Sequence, residues 1–242
     1  FVITKTIFND DRKALLAAFL VSIFDLNATY SHYGTPDIAH AFWFYLSIFF
    51  LSIYFFPKLY RSGFPAAWHS FSLPLLILSS SMTFAVRFDI VPAVITVSIF
   101  IWQAIVRKQP KALLKGLIFL VSFGVLLIVF TGFQYTPSDF LKAKDKLIED
   151  NKIAVAPYGV YIYRPLLYLF IITAGTSLPV LLVSLASLLH VFVGQPDGRL
   201  KKMLFLWVAA MTLTFLFVQF GPPVAVRKAN IFLPFLAMIG SY

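Results

Sequence analysis

The composition of this 242-residue chain is that of an integral membrane protein and excludes a typical water-soluble domain. Hydrophobic residues make up 60% of the chain, charged residues only 12%, and the mean hydropathy is +0.86. The formal charge of +10 comes from cations that cluster in short segments between apolar runs. Such clusters set membrane topology, so nucleic-acid binding is not predicted. The chain has no cysteine, which excludes disulfide and thiolate chemistry within these residues.

Apolar runs recur along the whole chain, and most are long enough to cross about 30 Å of hydrocarbon as an α-helix. Breaks at proline, glycine and charged clusters delimit eight predicted spans: 13–28, 38–56, 70–86, 90–107, 112–131, 166–193, 203–219 and 229–242. The predicted fold class is therefore all-α and integral to the membrane. We expect a polytopic bundle of about eight transmembrane helices, forming a single transmembrane domain over residues 1–242.

Both ends of the chain are expected to be incomplete. The first residue is phenylalanine, and the last apolar run, IFLPFLAMIGSY, is too short for a full crossing. We expect further sequence on each side.

The distribution of cations predicts the sidedness of the spans. One face receives four groups of cations: Lys5, Arg12 and Lys13; Lys58 and Arg61; Arg107, Lys108, Lys111 and Lys115; Arg199, Lys201 and Lys202. The short loops of the other face hold only Arg87, Arg227 and Lys228. The positive-inside rule makes the first face cytoplasmic. The predicted localisation is a multi-pass protein of the plasma or endoplasmic reticulum membrane, with its active face outside the cytoplasm.

The predicted external face gathers the unusual polar residues. The stretch TYSHYGTPD (29–37) holds His32 and Asp37, VRFD (86–89) holds Arg87, and VRKAN (226–230) holds Arg227 and Lys228. A carboxylate, an imidazole and several cations at helix ends would suit an anionic ligand. The alternative for each single residue is that it is polar only because its loop is exposed to water.

The longest gap between spans, residues 133–164, is predicted to be an external loop. It opens with Thr136, Pro137 and Ser138, which favour a helix start, and continues with charges at helical spacing. We expect a short amphipathic helix at the membrane interface, followed by a tyrosine-rich segment at headgroup depth. The sequence leaves two interpretations of this loop: a lid over a substrate, or a simple anchor at the membrane interface.

Four segments together resemble a known family. They are DDRKALLAAFLVSIFDLNATYSHYGTPDIAHAFWFYLSIFF, with Asp37 in its external turn; SSSMTFAVRFDIVPAVI; TPSDFLKAKDKL through YIYRPLLYLF; and VRKANIFLPFLAMIGSY. Their order and chemistry resemble the membrane-embedded glycosyltransferases of the GT-C superfamily. The resemblance is to the family 39-like members of protein mannosyltransferase and aminoarabinose transferase type.

The resemblance implies an inverting transfer of sugar from a polyprenyl-phosphate donor to an acceptor outside the cytoplasm. Such enzymes carry a catalytic Asp in a first external loop, which we expect upstream of residue 1. Asp37 would then be the second catalytic carboxylate, and the donor and acceptor would be bound by His32, Arg87, Arg227 and Lys228. No resident cofactor is expected; a divalent metal, the acceptor and a membrane protein partner stay open. The lipid bilayer is itself a partner.

Two other functions compete with this prediction. The same cations would suit a transporter or flippase for lipid-linked or small anionic substrates, although charges within the spans are nearly lacking. A non-catalytic membrane subunit is the third. The four histidines, including His40, lack metal-ligand spacing. Asp89 is interpreted as neutralising Arg87, and Ser79, Ser80 and Ser81 as allowing close helix packing.

Overall fold

The computed structural model describes residues 1–23, 36–57, 66–87, 89–130, 163–176, 178–194, 198–219 and 231–242. Within these ranges the chain is all-α, with ten helices and no strand. They are α1 (Val2–Phe8), α2 (Asp11–Ile23), α3 (Pro36–Phe55), α4 (Ala66–Arg87), α5 (Val91–Ile105), α6 (Lys111–Phe130), α7 (Tyr163–Thr176), α8 (Leu178–Val193), α9 (Gly198–Gln219) and α10 (Leu233–Gly240).

A helix occupies each predicted span, and the α-helical class is confirmed for the described residues. Short helix α1 was not predicted. It ends at Asn9, whose left-handed backbone (φ 53°) suits asparagine. The Asp10 carboxylate then accepts hydrogen bonds from the backbone N–H groups of Arg12 and Lys13, at 2.8 and 3.3 Å, and so starts α2.

The predicted span 166–193 divides into two helices, α7 and α8. Pro179 is the second residue of α8, where its missing N–H costs nothing because first-turn N–H groups have no partner within the helix. The same residue would break a helix that continued from α7. Proline therefore decides the division, and a single 28-residue helix is not formed.

The chain separates into two compact units, one of residues 1–38 and 148–242 and the other of residues 39–147. In the first unit the beginning of α2 meets the ends of α8 and α10. Lys13 Nζ lies 4.0 Å from the centre of the Tyr242 ring, and the His190 and Tyr242 ring centres are 6.5 Å apart. Leu20 and Val21 near the end of α2 pack against Leu233 at the start of α10, so these two helices are antiparallel.

The second unit contains most of α3 together with α4, α5 and α6. Tyr54 and Phe55, at the end of α3, hold the Phe100 ring of α5 edge-on, with ring centres 5.9 and 4.8 Å apart. Gly116 of α6 lies against the same phenylalanine, since a Cβ there would be 3.2 Å from Phe100 Cβ. Phe84 of α4 meets Phe123 of α6 at 6.0 Å. Aromatic side chains thus fill this interior.

In the part of the chain that the structure describes, two helices are long and apolar enough to cross a membrane, over Ile38–Phe55 and Lys111–Phe130. Their surroundings differ, because 56% of the first segment is buried and only 17% of the second. Exposed side chains of α6 include Leu113, Leu114, Leu117, Val121 and Val125. Such a continuous apolar surface is rare on soluble monomers.

Candidate functional site

A buried histidine–aspartate pair joins two helix starts in the second unit. His40 lies in the second turn of α3, and Asp89 lies two residues before α5. The His40 Nε2–H donates to Asp89 Oδ2 at 3.0 Å, and the two side chains are only 13% and 4% exposed. Buried ionisable side chains need a partner of this kind, because an unpaired charge in an apolar interior is costly.

Contacts with residues close in sequence fix the position of the Asp89 side chain. Asp89 Oδ1 accepts a hydrogen bond from the backbone N–H of Val91 at 2.9 Å, and Pro92 follows as the second residue of α5. The carboxylate therefore bonds one helix start through Oδ1 and holds His40 through Oδ2. Because both carboxylate oxygens have partners and water has little access, the pair is suited to fixing the position of α3 relative to the start of α5.

Two buried hydroxyl groups, one on α3 and one on α4, lie farther along these helices from the His40–Asp89 pair. Ser47 lies two turns after His40 on α3, and its Oγ is 3.2 Å from Thr83 Oγ1 on α4. Ser47 Oγ is also 2.8 Å from the Trp43 carbonyl oxygen, and Thr83 Oγ1 is 2.8 Å from the Ser79 carbonyl oxygen. Each hydroxyl is thus within bonding distance of a backbone carbonyl in its own helix as well as of the other hydroxyl.

The three consecutive serines of α4 all lie in the interior of the unit. Ser79 and Ser81 donate to carbonyl oxygens one turn earlier in the helix, at 2.7 and 2.8 Å. Ser80 Oγ is buried and has no hydrogen-bond partner among the described residues. Small side chains of this kind permit close helix contact, which the sequence predicts for this segment.

Most of the predicted site residues lie outside the part of the chain that the structure describes. His32, Arg227 and Lys228 lie outside the described residues, as does nearly all of loop 133–164. Asp37 is in the first turn of α3 and Arg87 is the last residue of α4, but their side chains lie outside the described part of the chain. In sequence, Asp37 precedes His40 by three residues and Arg87 precedes Asp89 by two.

The sequence analysis missed the pairing of His40 with Asp89. It gave His40 no role, and it paired Asp89 with its neighbour Arg87. A signal was present, because both residues stand where predicted spans begin on the same predicted face. Only the packing of α3 beside the α4–α5 turn brings residues 49 positions apart within hydrogen-bond distance.

Three lysines of the first unit, all predicted to lie at the cytoplasmic face, have partners in the structure. Lys13 stacks on Tyr242, and Lys201 Nζ donates to the carbonyl oxygen of Gly194 at 3.0 Å. Lys5 forms a surface ion pair with Asp11 at 2.7 Å. These contacts occupy cations at helix ends.

Among the described residues, no three histidine, aspartate or glutamate side chains come together as a metal site would require. Comparisons of the chain with family models, with curated proteins and with solved structures find no match. Arguments about function therefore depend on the chain's own residues and on the resemblance of its sequence pattern.

Proposed function

We propose that this chain is the membrane domain of a glycosyltransferase that uses a polyprenyl-phosphate sugar donor outside the cytoplasm. The observation that carries the proposal is the buried His40–Asp89 pair. It joins the start of α3, where the sequence has Asp37, to the turn between α4 and α5, where the sequence has Arg87. A carboxylate and a cation are the two groups that such a transfer needs.

Membrane insertion is the first part of the proposal, and the packing supports it. Apolar side chains of α6 and α8, such as Leu114 and Leu189, at 60% and 64% exposed, would meet lipid. In the first unit α2 and α8 run in opposite directions: Lys13 at the start of α2 and His190 near the end of α8 both contact Tyr242, while Leu20, Val21 and Val180 pack on the buried residues of α10. Pro74 inside α4 is of a kind tolerated in membrane helices.

The chemistry follows from the donor. The acceptor hydroxyl oxygen forms a bond to the anomeric carbon while the bond from that carbon to the phosphate oxygen breaks, which inverts the configuration. The acceptor proton passes to a carboxylate, for which Asp37 is the candidate in this chain. The lipid phosphate leaves with its electron pair as an anion, and Arg87, Arg227 and Lys228 are the cations proposed to stabilise it. His32 is proposed to bind donor or acceptor.

Transfer activity of the full-length protein tests these roles. We expect Asp37→Asn and Arg227→Ala to lose at least about 100-fold in transfer from a polyprenyl-phosphate sugar, the scale of a lost acid–base or charge-stabilising group. The matched controls are Asp11→Asn and Arg12→Ala, which lie at the opposite predicted face and should keep their activity. Full activity in both test variants would refute the site.

Sided chemical labelling tests the topology separately. Because the chain has no cysteine, single substitutions give a clean background. A membrane-impermeant maleimide should label Ser138→Cys in intact cells and label Lys108→Cys only after the membrane is opened. Labelling of both from the same side would refute the proposed crossings without bearing on the chemistry.

A transporter or flippase is the second candidate, and the buried hydroxyl groups favour it. Transporters bind substrates near the middle of the membrane, and Ser80 Oγ lies buried on α4 with no partner among the described residues. In proteoliposomes, a transporter would move a lipid-linked anion without consuming it and would respond to Ser80→Ala. Movement without sugar transfer would favour this candidate.

A further inference from the structure

The turn between α5 and α6 concentrates positive charge at one end of the second unit. Four exposed cations lie within nine residues: Arg107, Lys108, Lys111 and Lys115. The turn is well ordered by backbone hydrogen bonds, including Gln109 N–H to the Gln103 carbonyl at 3.2 Å and Ala112 N–H to the Gln109 carbonyl at 2.9 Å. Lys108 adopts a left-handed backbone conformation, φ 53°, that is uncommon for lysine.

Carboxylates are lacking around these cations. The sequence has no aspartate or glutamate between Asp89 and Asp139. Asp89 is bonded to His40, and the 15 residues of α5, about 22 Å of helical rise, separate it from the turn. In the described part of this unit no ion pair involves any of the four cations. Among the described residues of this unit, the four exposed cations therefore have no carboxylate partner, and an anion at this surface would meet no competing negative charge there.

Two of the cations lie over aromatic rings at this end of the unit. The Arg107 guanidinium carbon lies 4.5 Å from the centre of the Trp102 ring, and Lys115 Nζ lies 5.8 Å from the centre of the Tyr54 ring. Tryptophan and tyrosine concentrate at the headgroup level of membranes, where arginine and lysine also extend toward phosphate. The ring contacts thus pair two of the four cations with the side-chain types that are typical of headgroup depth.

Exposed apolar side chains adjoin the cations on both helices. Ile105 and Val106 are 70% and 62% exposed, and Leu113 and Leu114 on α6 are 55% and 60% exposed. A surface with cations at its end and a strip of aliphatic side chains beside them is complementary to a molecule with an anionic head and hydrocarbon tails. Phospholipid has that form, whereas an acidic peptide or a nucleic acid lacks the hydrocarbon.

We propose that the α5–α6 turn is a binding site for anionic phospholipid. The phosphodiester headgroup contacts the four cations, and the acyl chains lie along the exposed side of α6. The site requires the membrane insertion proposed above but is independent of sugar transfer. It also accounts for the charge of this turn in a way that a topology signal alone does not, since a topology signal needs no aromatic partners.

Native mass spectrometry of the full-length protein in neutral detergent tests the proposal, with phosphatidylglycerol and phosphatidylcholine as competing probes. We expect phosphatidylglycerol to be retained preferentially. In Lys108→Gln/Lys111→Gln its affinity should fall about 25-fold, since each cation near a lipid surface contributes about fivefold. The control Lys5→Gln/Lys201→Gln removes two cations already engaged by Asp11 and the Gly194 carbonyl. It should change the affinity less than twofold.

Several results would overturn the site. Equal retention of the two lipids, or equal losses in the test and control variants, would mean that charge at this turn selects no lipid. Displacement of phosphatidylglycerol by millimolar inorganic phosphate would show that a free anion suffices, and displacement by an acidic peptide would point to a protein partner. Sugar transfer is not measured here, so a failure of the enzymatic proposal leaves these outcomes unchanged.

Discussion

In the described part of each unit one carboxylate pairs with a basic side chain at a similar distance, and the difference between the two pairs lies in their surroundings. His40 and Asp89 meet at 3.0 Å with 13% and 4% of their side chains exposed. Lys5 and Asp11 meet at 2.7 Å with 51% and 63% exposed. Water screens the second pair and keeps each partner stable alone, whereas the first pair has replaced hydration by one specific contact. Burial, more than distance, therefore sets what each pair contributes.

The largest effect is expected from breaking the buried pair. Asp89→Ala leaves His40 without its acceptor and removes the carboxylate that bonds the Val91 N–H at the start of α5, so we expect a loss of about 3 kcal/mol. Denaturant unfolding of the purified protein would measure it. The paired change His40→Leu/Asp89→Leu should cost less than Asp89→Ala: the Val91 N–H loses its acceptor in both variants, but only Asp89→Ala also leaves the His40 imidazole without a partner. A loss below about 0.5 kcal/mol would contradict the burial.

A second effect concerns the packing between α5 and α6. Gly116→Leu would force a side chain against Phe100, because even a Cβ at residue 116 would lie 3.2 Å from Phe100 Cβ. Overpacking of this kind costs about 1–3 kcal/mol. Gly124→Leu is the matched control on the same helix, since nothing lies within 4 Å of a Cβ there. Equal thermal stability of the two variants would show that the helices are not packed as described.

A third, smaller effect tests an uncharged contact between two helices of the first unit. Ser184 Oγ lies 2.9 Å from the Leu236 carbonyl oxygen on α10 and 2.8 Å from the Val180 carbonyl oxygen in its own helix. Ser184→Ala should cost about 0.6 kcal/mol, the average for a hydrogen bond between membrane helices. Ser22→Ala removes only a bond within one helix, to Phe19, and is the control. Equal free energies of unfolding for the two variants would contradict the interhelical bond.

The helices could be predicted because their signals are local. Apolar runs marked every span, and X-Pro steps marked the starts of α5, α8 and α10 within a few residues. Residues 166–193 were predicted as one span, because Pro179 was not considered as a helix start, whereas the structure has two helices there. Local sequence signals were thus enough to predict most of the helices.

The His40–Asp89 site could not be predicted in the same way, because its two residues meet only through tertiary packing. Sequence proximity favoured Arg87 as the partner of Asp89. The orientation of α3 relative to α5, set by aromatic contacts such as Phe55–Phe100, brings in His40 instead. A pattern of charges along a chain indicates which face a residue occupies, but it does not say which neighbour it meets on that face.

The smallest effect on stability is expected from breaking the exposed Lys5–Asp11 pair. Lys5→Gln removes an exposed partner of Asp11, and both side chains of that pair are already more than half in water. We expect a change of about 0.3 kcal/mol at low salt, measured by denaturant unfolding, and a smaller change at high salt because mobile ions screen exposed charges. The deficit of Asp89→Ala should persist at high salt, since salt does not enter an interior where Asp89 is 4% exposed. Equal salt sensitivity in the two variants would mean that burial does not distinguish the pairs.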